Sequence, residues 1–145
     1  MHQIRLFALA FAVLVVALLA TACDGSSDET TTTIADSSAV VFGRGTIPET
    51  VPDSFPVPDQ ARIGATLVDA NRGLTEMILT FPADVGAVVD YYEENLPARG
   101  YEVTTSEGTD ADWLIEFNGD GIDGVLRVTT GGSGIAAATV QLTEI

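Results

Sequence analysis

The segment Phe81-Pro82-Ala83-Asp84-Val85-Gly86-Ala87-Val88-Val89-Asp90-Tyr91-Tyr92-Glu93-Glu94-Asn95-Leu96-Pro97-Ala98-Arg99-Gly100-Tyr101 decides the fold. Val85, Val88, Val89, Tyr92 and Leu96 stand at offsets 0, 3, 4, 7 and 11, which places them on one stripe of an α-helix. Asp90, Glu93 and Glu94 fall off that stripe. Asp84 stands where an N-cap carboxylate accepts a hydrogen bond from the first turn. Pro97 ends the regular helix, and Gly100 suits the left-handed position beyond it. No other stretch of the mature chain carries a helical period. Its neighbours on both sides alternate with period two.

Upstream, Ile63, Ala65 and Leu67 alternate with Arg62, Gly64 and Thr66. Met77, Leu79 and Phe81 alternate with Glu76, Ile78 and Thr80. Asp69-Ala70-Asn71-Arg72-Gly73 between these runs is turn chemistry, so the pair predicts a β-hairpin. Downstream, Tyr101 and Val103, then Trp113, Ile115 and Phe117, then Leu126 and Val128, then Ala136, Ala138, Val140 and Leu142 form further alternating runs. Glycine-rich separators divide them.

The order β-β-α-β-β-β-β predicts an α+β fold: a mostly antiparallel sheet with one helix packed on one face. The expected core is Leu67, Met77, Leu79, Phe81, Val85, Val89, Tyr92, Leu96, Trp113, Ile115, Phe117, Leu126, Val128, Val140 and Leu142. The face away from the helix is expected to carry Arg62, Thr66, Glu76, Ile78, Thr80, Glu102, Thr104, Leu114, Glu116, Arg127, Thr139 and Gln141. Ile78 and Leu114 are large apolar side chains on that polar face. With Glu116 and Arg127 they make the candidate partner surface.

The chain divides into four parts. Residues 1–22 read as a signal peptide: Met1 to Arg5 carries the positive charge, Leu6 to Ala20 is apolar, and Ala20-Thr21-Ala22 supplies small residues. Residues 23–46 read as a modified cysteine and a flexible tether, because Asp24 to Ser38 has only Ile34 as a large apolar residue. Residues 47–61 hold Pro48, Pro52, Pro56 and Pro58, and predict an extended, polyproline-like arm with Phe55 as its apolar anchor. Residues 62–145 form the α+β domain.

Cys23 is the only cysteine of the 145 residues. With the charged, apolar and small-residue sequence before it, it resembles the lipobox of bacterial lipoproteins. The departure is Ala20 at the third position before the cysteine, where leucine is usual; Leu19 stands one place earlier. The resemblance implies a diacylglycerol on the Cys23 thiol, cleavage before Cys23, and location at the extracytoplasmic face of the cell membrane. Two other readings use the same residues: ordinary secretory cleavage after Ala22, and an uncleaved anchor over the 17 residues from Leu6 to Ala22, the short limit for a membrane span. Secretory cleavage leaves an unpaired thiol without a use. The segment from Phe81 to Tyr101 is also similar to one in small extracytoplasmic lipoproteins of no assigned activity. That likeness implies the same α+β fold and no chemistry.

The mature part has five arginines and no lysine against 21 carboxylates, a side-chain charge of −16. Such a surface repels nucleic acid and anionic headgroups. Membrane attachment therefore falls to the lipid. The partners left are an envelope protein, a polysaccharide or a cation; hydration of a tethered domain also explains the charge.

The residue inventory argues against enzyme chemistry. The one histidine, His2, lies in the signal peptide, so the mature chain has no imidazole base. Lipidation of Cys23 removes the thiol nucleophile. Paired carboxylates suffice for a glycosidase, but 21 of them nominate no particular pair. Asn118-Gly119-Asp120-Gly121-Ile122-Asp123 offers two readings: a turn between strands, or a weak calcium site through Asn118, Asp120 and Asp123 without the spacing of an EF-hand. No cofactor is expected. The functional expectation is a membrane-anchored, non-enzymatic interaction domain. The alternative is a carrier or sensor that binds a small ligand between helix and sheet, with Tyr91, Tyr92, Tyr101 and Trp113 as its lining.

Overall fold

The computed structural model describes residues 40–145. Cys23 and the signal-peptide reading lie outside the described residues. The strands are β1 (Val40–Arg44), β2 (Arg62–Asp69) and β3 (Leu74–Phe81), then helix α1 (Val85–Ala98), then β4 (Glu102–Thr109), β5 (Asp112–Gly119), β6 (Ile122–Gly132) and β7 (Ile135–Glu144). All seven form one antiparallel sheet in the order β1-β2-β3-β7-β6-β5-β4. The α+β class and the mostly antiparallel sheet stand. Among the described residues no helix is long and apolar enough to cross a membrane.

The helix forms where its stripe places it. Asp84 Oδ1 accepts the Ala87 N–H at 2.9 Å. Val85, Val88, Val89, Tyr92 and Leu96 are all buried, and α1 contacts β4, β5, β6 and β7. Pro97 sits inside the last turn rather than after it. Beyond it, Gly100 takes φ +91° and the Tyr101 N–H returns to the Leu96 carbonyl at 3.0 Å. That closure lets Tyr101, 3% exposed, enter the core.

Three features depart from the sequence expectation. The first is β1, which lies within the stretch assigned to the tether. Val40, Val41 and Phe42 are β-branched and aromatic, as a strand prefers. The strand has five residues and, among the described residues, pairs with β2 alone. Such a short run beside polar chain leaves no period to read.

The second is parity in β2. Ile63 pairs with Leu79, but Thr66 pairs with Met77, so Gly64 and Ala65 together oppose Ile78. This β-bulge inserts one residue, and one residue inverts every side chain beyond it. Thr66 therefore joins the buried set at 7% exposure, and Leu67 leaves the expected core to stand opposite Glu76. A second shift, between Val103 and Thr105, makes Thr104 the extra residue of β4. Thr105 pairs with Glu116, while the Thr104 hydroxyl donates to the Glu116 carbonyl at 3.1 Å.

The third is the proline-rich arm, which is folded rather than extended. The Val51 N–H reaches the Pro48 carbonyl at 3.0 Å, Phe55 reaches Pro52 at 2.9 Å and Ala61 reaches Pro58 at 2.9 Å. A proline donates no backbone bond but still accepts one. Each turn here closes on a proline carbonyl. Val51, Phe55 and Pro56 are buried as a result. The Phe55 anchor forms: its ring lies 6.0 Å from Tyr92, 5.8 Å from Phe117 and 6.4 Å from Tyr101. Ser54 donates to Asp120 at 2.6 Å, which leaves the Tyr101 hydroxyl to donate to Ser54 at 2.6 Å. Thr50 and Thr75 join hydroxyl to hydroxyl at 2.6 Å. The arm thus belongs to the same core as residues 62–145.

Candidate interaction face

Register sorts the strand residues into two sets. Directly paired residues share a face, and neighbours along a strand alternate. Met77, Val140, Leu126 and Ile115 form one row across β3, β7, β6 and β5, and all are fully buried. One residue along each strand, Ile78, Thr139, Arg127 and Leu114 form the adjacent row on the opposite face. Ile78 is 38% exposed, Arg127 is exposed, and Thr139 and Leu114 are half-buried.

Three of the four residues nominated for a partner surface therefore stand in one row. At a strand spacing of about 4.8 Å, Ile78 and Leu114 lie roughly 14 Å apart. Glu116, the fourth, stands in the next row, which runs Phe42, Leu67, Glu76, Gln141, Val125, Glu116. Gln141 donates to Glu76 at 2.9 Å.

That second row holds apolar residues that the sequence reading missed. Phe42 is 76% exposed, and Leu67 and Val125 are half-buried. Phe42 escaped because β1 did; Leu67 escaped because the bulge reversed its parity. Val125 was legible as the residue alternating with Leu126. Thr66 leaves this face for the buried one.

Leu114 and Arg127 border an open depression of about 580 Å³ with Glu107, Gly108, Thr109 and Asp112. Arg127 Nε donates to Asp112 Oδ1 at 2.9 Å, and its Nη2 donates to Oδ2. This two-point bond ties the guanidinium to Asp112 on β5. It lowers the Asp112 pKa below its ordinary 3.8, the Arg127 hydrogen bond being the larger cause and its charge adding to it. Arg127 is raised by the same bond. Asp69 is lowered in the same way by its bond to Arg72.

The other nominated residues do not converge. Asn118 and Asp123 face each other across β5 and β6. Asp120 and Gly121 occupy a two-residue turn with φ of +52° and +77°, the type I′ geometry that Asp-Gly favours. Asp120 takes its bond from Ser54 instead. Among the described residues no group of three or more His, Cys, Asp or Glu is placed to hold a metal ion.

Buried side chains of α1 and of the sheet form one core cluster. Tyr92 is fully buried, with Phe55, Phe81 and Tyr91 around its ring. Its hydroxyl has no hydrogen-bond partner, and burial pushes its pKa far upward. Of the four nominated aromatics, Trp113 borders a cleft. It lies between α1 and the β4–β5 hairpin, measures about 200 Å³, and shows Asp90, Glu93 and Asp110 at its rim. Trp113 Nε1 donates to Ser106 at 2.9 Å, and Ser106 donates to Glu93. No family model, curated protein or solved structure matches the chain.

Proposed function

We propose that this chain is a lipid-anchored, non-enzymatic domain of the extracytoplasmic membrane face. It acts by contact between its open sheet face and another envelope component, a protein or a polysaccharide. In this reading Cys23 carries the lipid, and α1 with the arm covers only the face that holds Met77 and Leu126. The opposite face, through Ile78, Leu114, Glu116 and Arg127, makes the contact.

The observation that carries the reading is the contrast between adjacent rows. Ile78 stands 38% exposed between the fully buried Met77 and Leu79, and Leu114 is half-buried beside the fully buried Ile115. A protein does not need that surface for its own core. A one-sided sheet leaves it for water or for a partner.

The carrier alternative draws less support. A small-molecule pocket typically encloses about 300–1,000 Å³ with an apolar lining. The cleft at Trp113 is smaller and acid-rimmed.

Two experiments test the proposal. Cys23→Ala with a metabolic fatty-acid label tests the anchor: label kept by the alanine chain ends the lipoprotein reading. Ile78→Glu with Leu114→Lys tests the face in a pull-down from membranes. The expected result is an intact fold and a lost partner. A folded double variant that keeps its partner moves the site off this face. An unfolded one shows that the two side chains serve the core.

A further inference from the structure

We infer that β1 is a self-pairing seam: two copies of the chain join edge to edge through Val40–Arg44, antiparallel, about a two-fold axis at Phe42.

The two ends of the sheet differ. At one end β4 carries Glu102 and Glu107 and is interrupted by the extra residue Thr104. Charge and a bulge are how an edge strand resists pairing with another chain. At the other end β1 has no acid, no proline and no register break. Among the described residues nothing pairs with its outer side. Val41 is 63% exposed and Phe42 76%. Among the described residues neither side chain is buried.

Hydrogen-bond direction fixes the axis. The Gly45 N–H bonds to the Gly64 carbonyl, and bonded pairs recur at every second residue of an antiparallel ladder. Gly45, Gly43 and Val41 therefore turn their backbone groups toward β2. Those of Val40, Phe42 and Arg44 point outward. An antiparallel partner centred on Phe42 satisfies all three positions: Phe42 meets Phe42, and Val40 meets Arg44 in both directions. Two bonds per pair give about six across the seam. The two Phe42 rings fall side by side on one face, an aromatic cross-strand pair.

Charge selects the occupant. A chain with 21 acidic residues repels its own copies over most of its surface. The seam has no carboxylate, and its single charge is Arg44. In the two-fold register the arginines do not oppose each other. Each lands beside the second copy's Val40, whose partner across β2 is Asp69. Asp69 is itself buried and bonded to Arg72, so what this register supplies is a seam in which no like charges face each other.

Five residues per strand bury less than the roughly 1,000 Å² of a stable interface. The pairing is therefore weak in free solution. It becomes populated where copies share one membrane layer at high effective concentration, a step that rests on the lipid-anchor proposal.

Cysteine cross-linking on the full chain in its membranes tests the seam. A bonded antiparallel pair places its Cα atoms about 5.5 Å apart, within disulfide reach. Under mild oxidation Phe42→Cys should give a covalent dimer several-fold above the level of the unsubstituted chain. Val41→Cys and Glu107→Cys should not. Val40→Cys and Arg44→Cys should cross-link when co-expressed and not when expressed singly. Adding Phe42→Pro to that pair should abolish the link, because the Phe42 N–H faces outward and β1 keeps its bonds to β2. Equal dimer at positions 41, 42 and 107, or none at 42, overturns the seam. A fatty-acid label read on the same samples separates the two proposals. Label without the position-42 dimer sinks the seam alone; dimer without label sinks the anchor alone.

Discussion

Leu79 and Ile78 are neighbours on β3, yet Leu79 is fully buried and Ile78 is 38% exposed. The same division runs across β7, β6 and β5, where Val140, Leu126 and Ile115 face inward and Thr139, Arg127 and Leu114 face outward. One face of the sheet therefore bears the stability, and the other is free to vary in chemistry. Two unlike pieces share the core with the inward residues. The helix α1 brings a periodic stripe of five buried side chains. The arm brings mainly Val51, Phe55 and Pro56, held by turns and three hydroxyl contacts. The pieces meet where Phe55 lies against Tyr92.

The largest expected effect is at that meeting point. Phe55→Ala removes a buried ring that touches Tyr92, Tyr101 and Phe117, and should cost about 3–5 kcal/mol in a urea melt. A cost under 1 kcal/mol would show the arm to be a passenger on a core that α1 closes alone.

Next, Leu79→Ala should cost about 2–5 kcal/mol. Ile78→Ala, one residue away, should stay near about 0.5 kcal/mol. Equal costs would dissolve the distinction between faces.

Gly124→Ala sharpens the inward face further. Phe117 lies directly across the register from Gly124, and a Cβ there would fall 2.1 Å from its ring. Phe117 is itself packed against Phe55 and Tyr101. We expect a loss of about 1–3 kcal/mol, the usual range for overpacking. A neutral result would mean that Phe117 can turn away.

Titration separates the faces by pH. Tyr92 has its pKa raised by burial. Its contribution is full below the ordinary tyrosine value of 10.0 and is lost as pH rises above it. In alkaline titration its phenolate should appear only with unfolding. A phenolate seen near pH 10 in the folded chain would place this ring in water.

The smallest effect is on the outward face. Asp112 has a lowered pKa, so its contribution is present above 3.8 and fades as pH falls through the lower native value. Asp112→Asn should flatten part of the acid limb of a pH–stability curve and change little at pH 7, because the Arg127 pair is exposed.

Most of the helix was legible residue by residue. The stripe from Val85 to Leu96, the Asp84 cap and the left-handed Gly100 depend on local spacing, and local spacing is what a sequence displays. The strands from β3 to β7 were legible for the same reason. The errors share a different cause. Leu67 and Thr66 exchanged faces because a bulge between Ile63 and Thr66 is defined by the partner strand, not by β2 alone. β1 was missed because five residues make a strand only when β2 lies beside them. The arm was expected to be straight because proline restricts φ; its turns arise because Phe55 has an aromatic pocket to enter.

The sequence by itself determined the one helix among the described residues, with its Asp84 cap and its Gly100 exit, and the alternating strands around it. It also set the acidic charge and placed the lone cysteine after an apolar run. Only the tertiary structure decided which residues share a row, which edge of the sheet is guarded, and that Phe42 and Leu67 belong with Glu116 on the open face. Period and caps act over a few residues along the chain. Register, bulges and edges are properties of pairs of strands, and come into being only when distant segments meet.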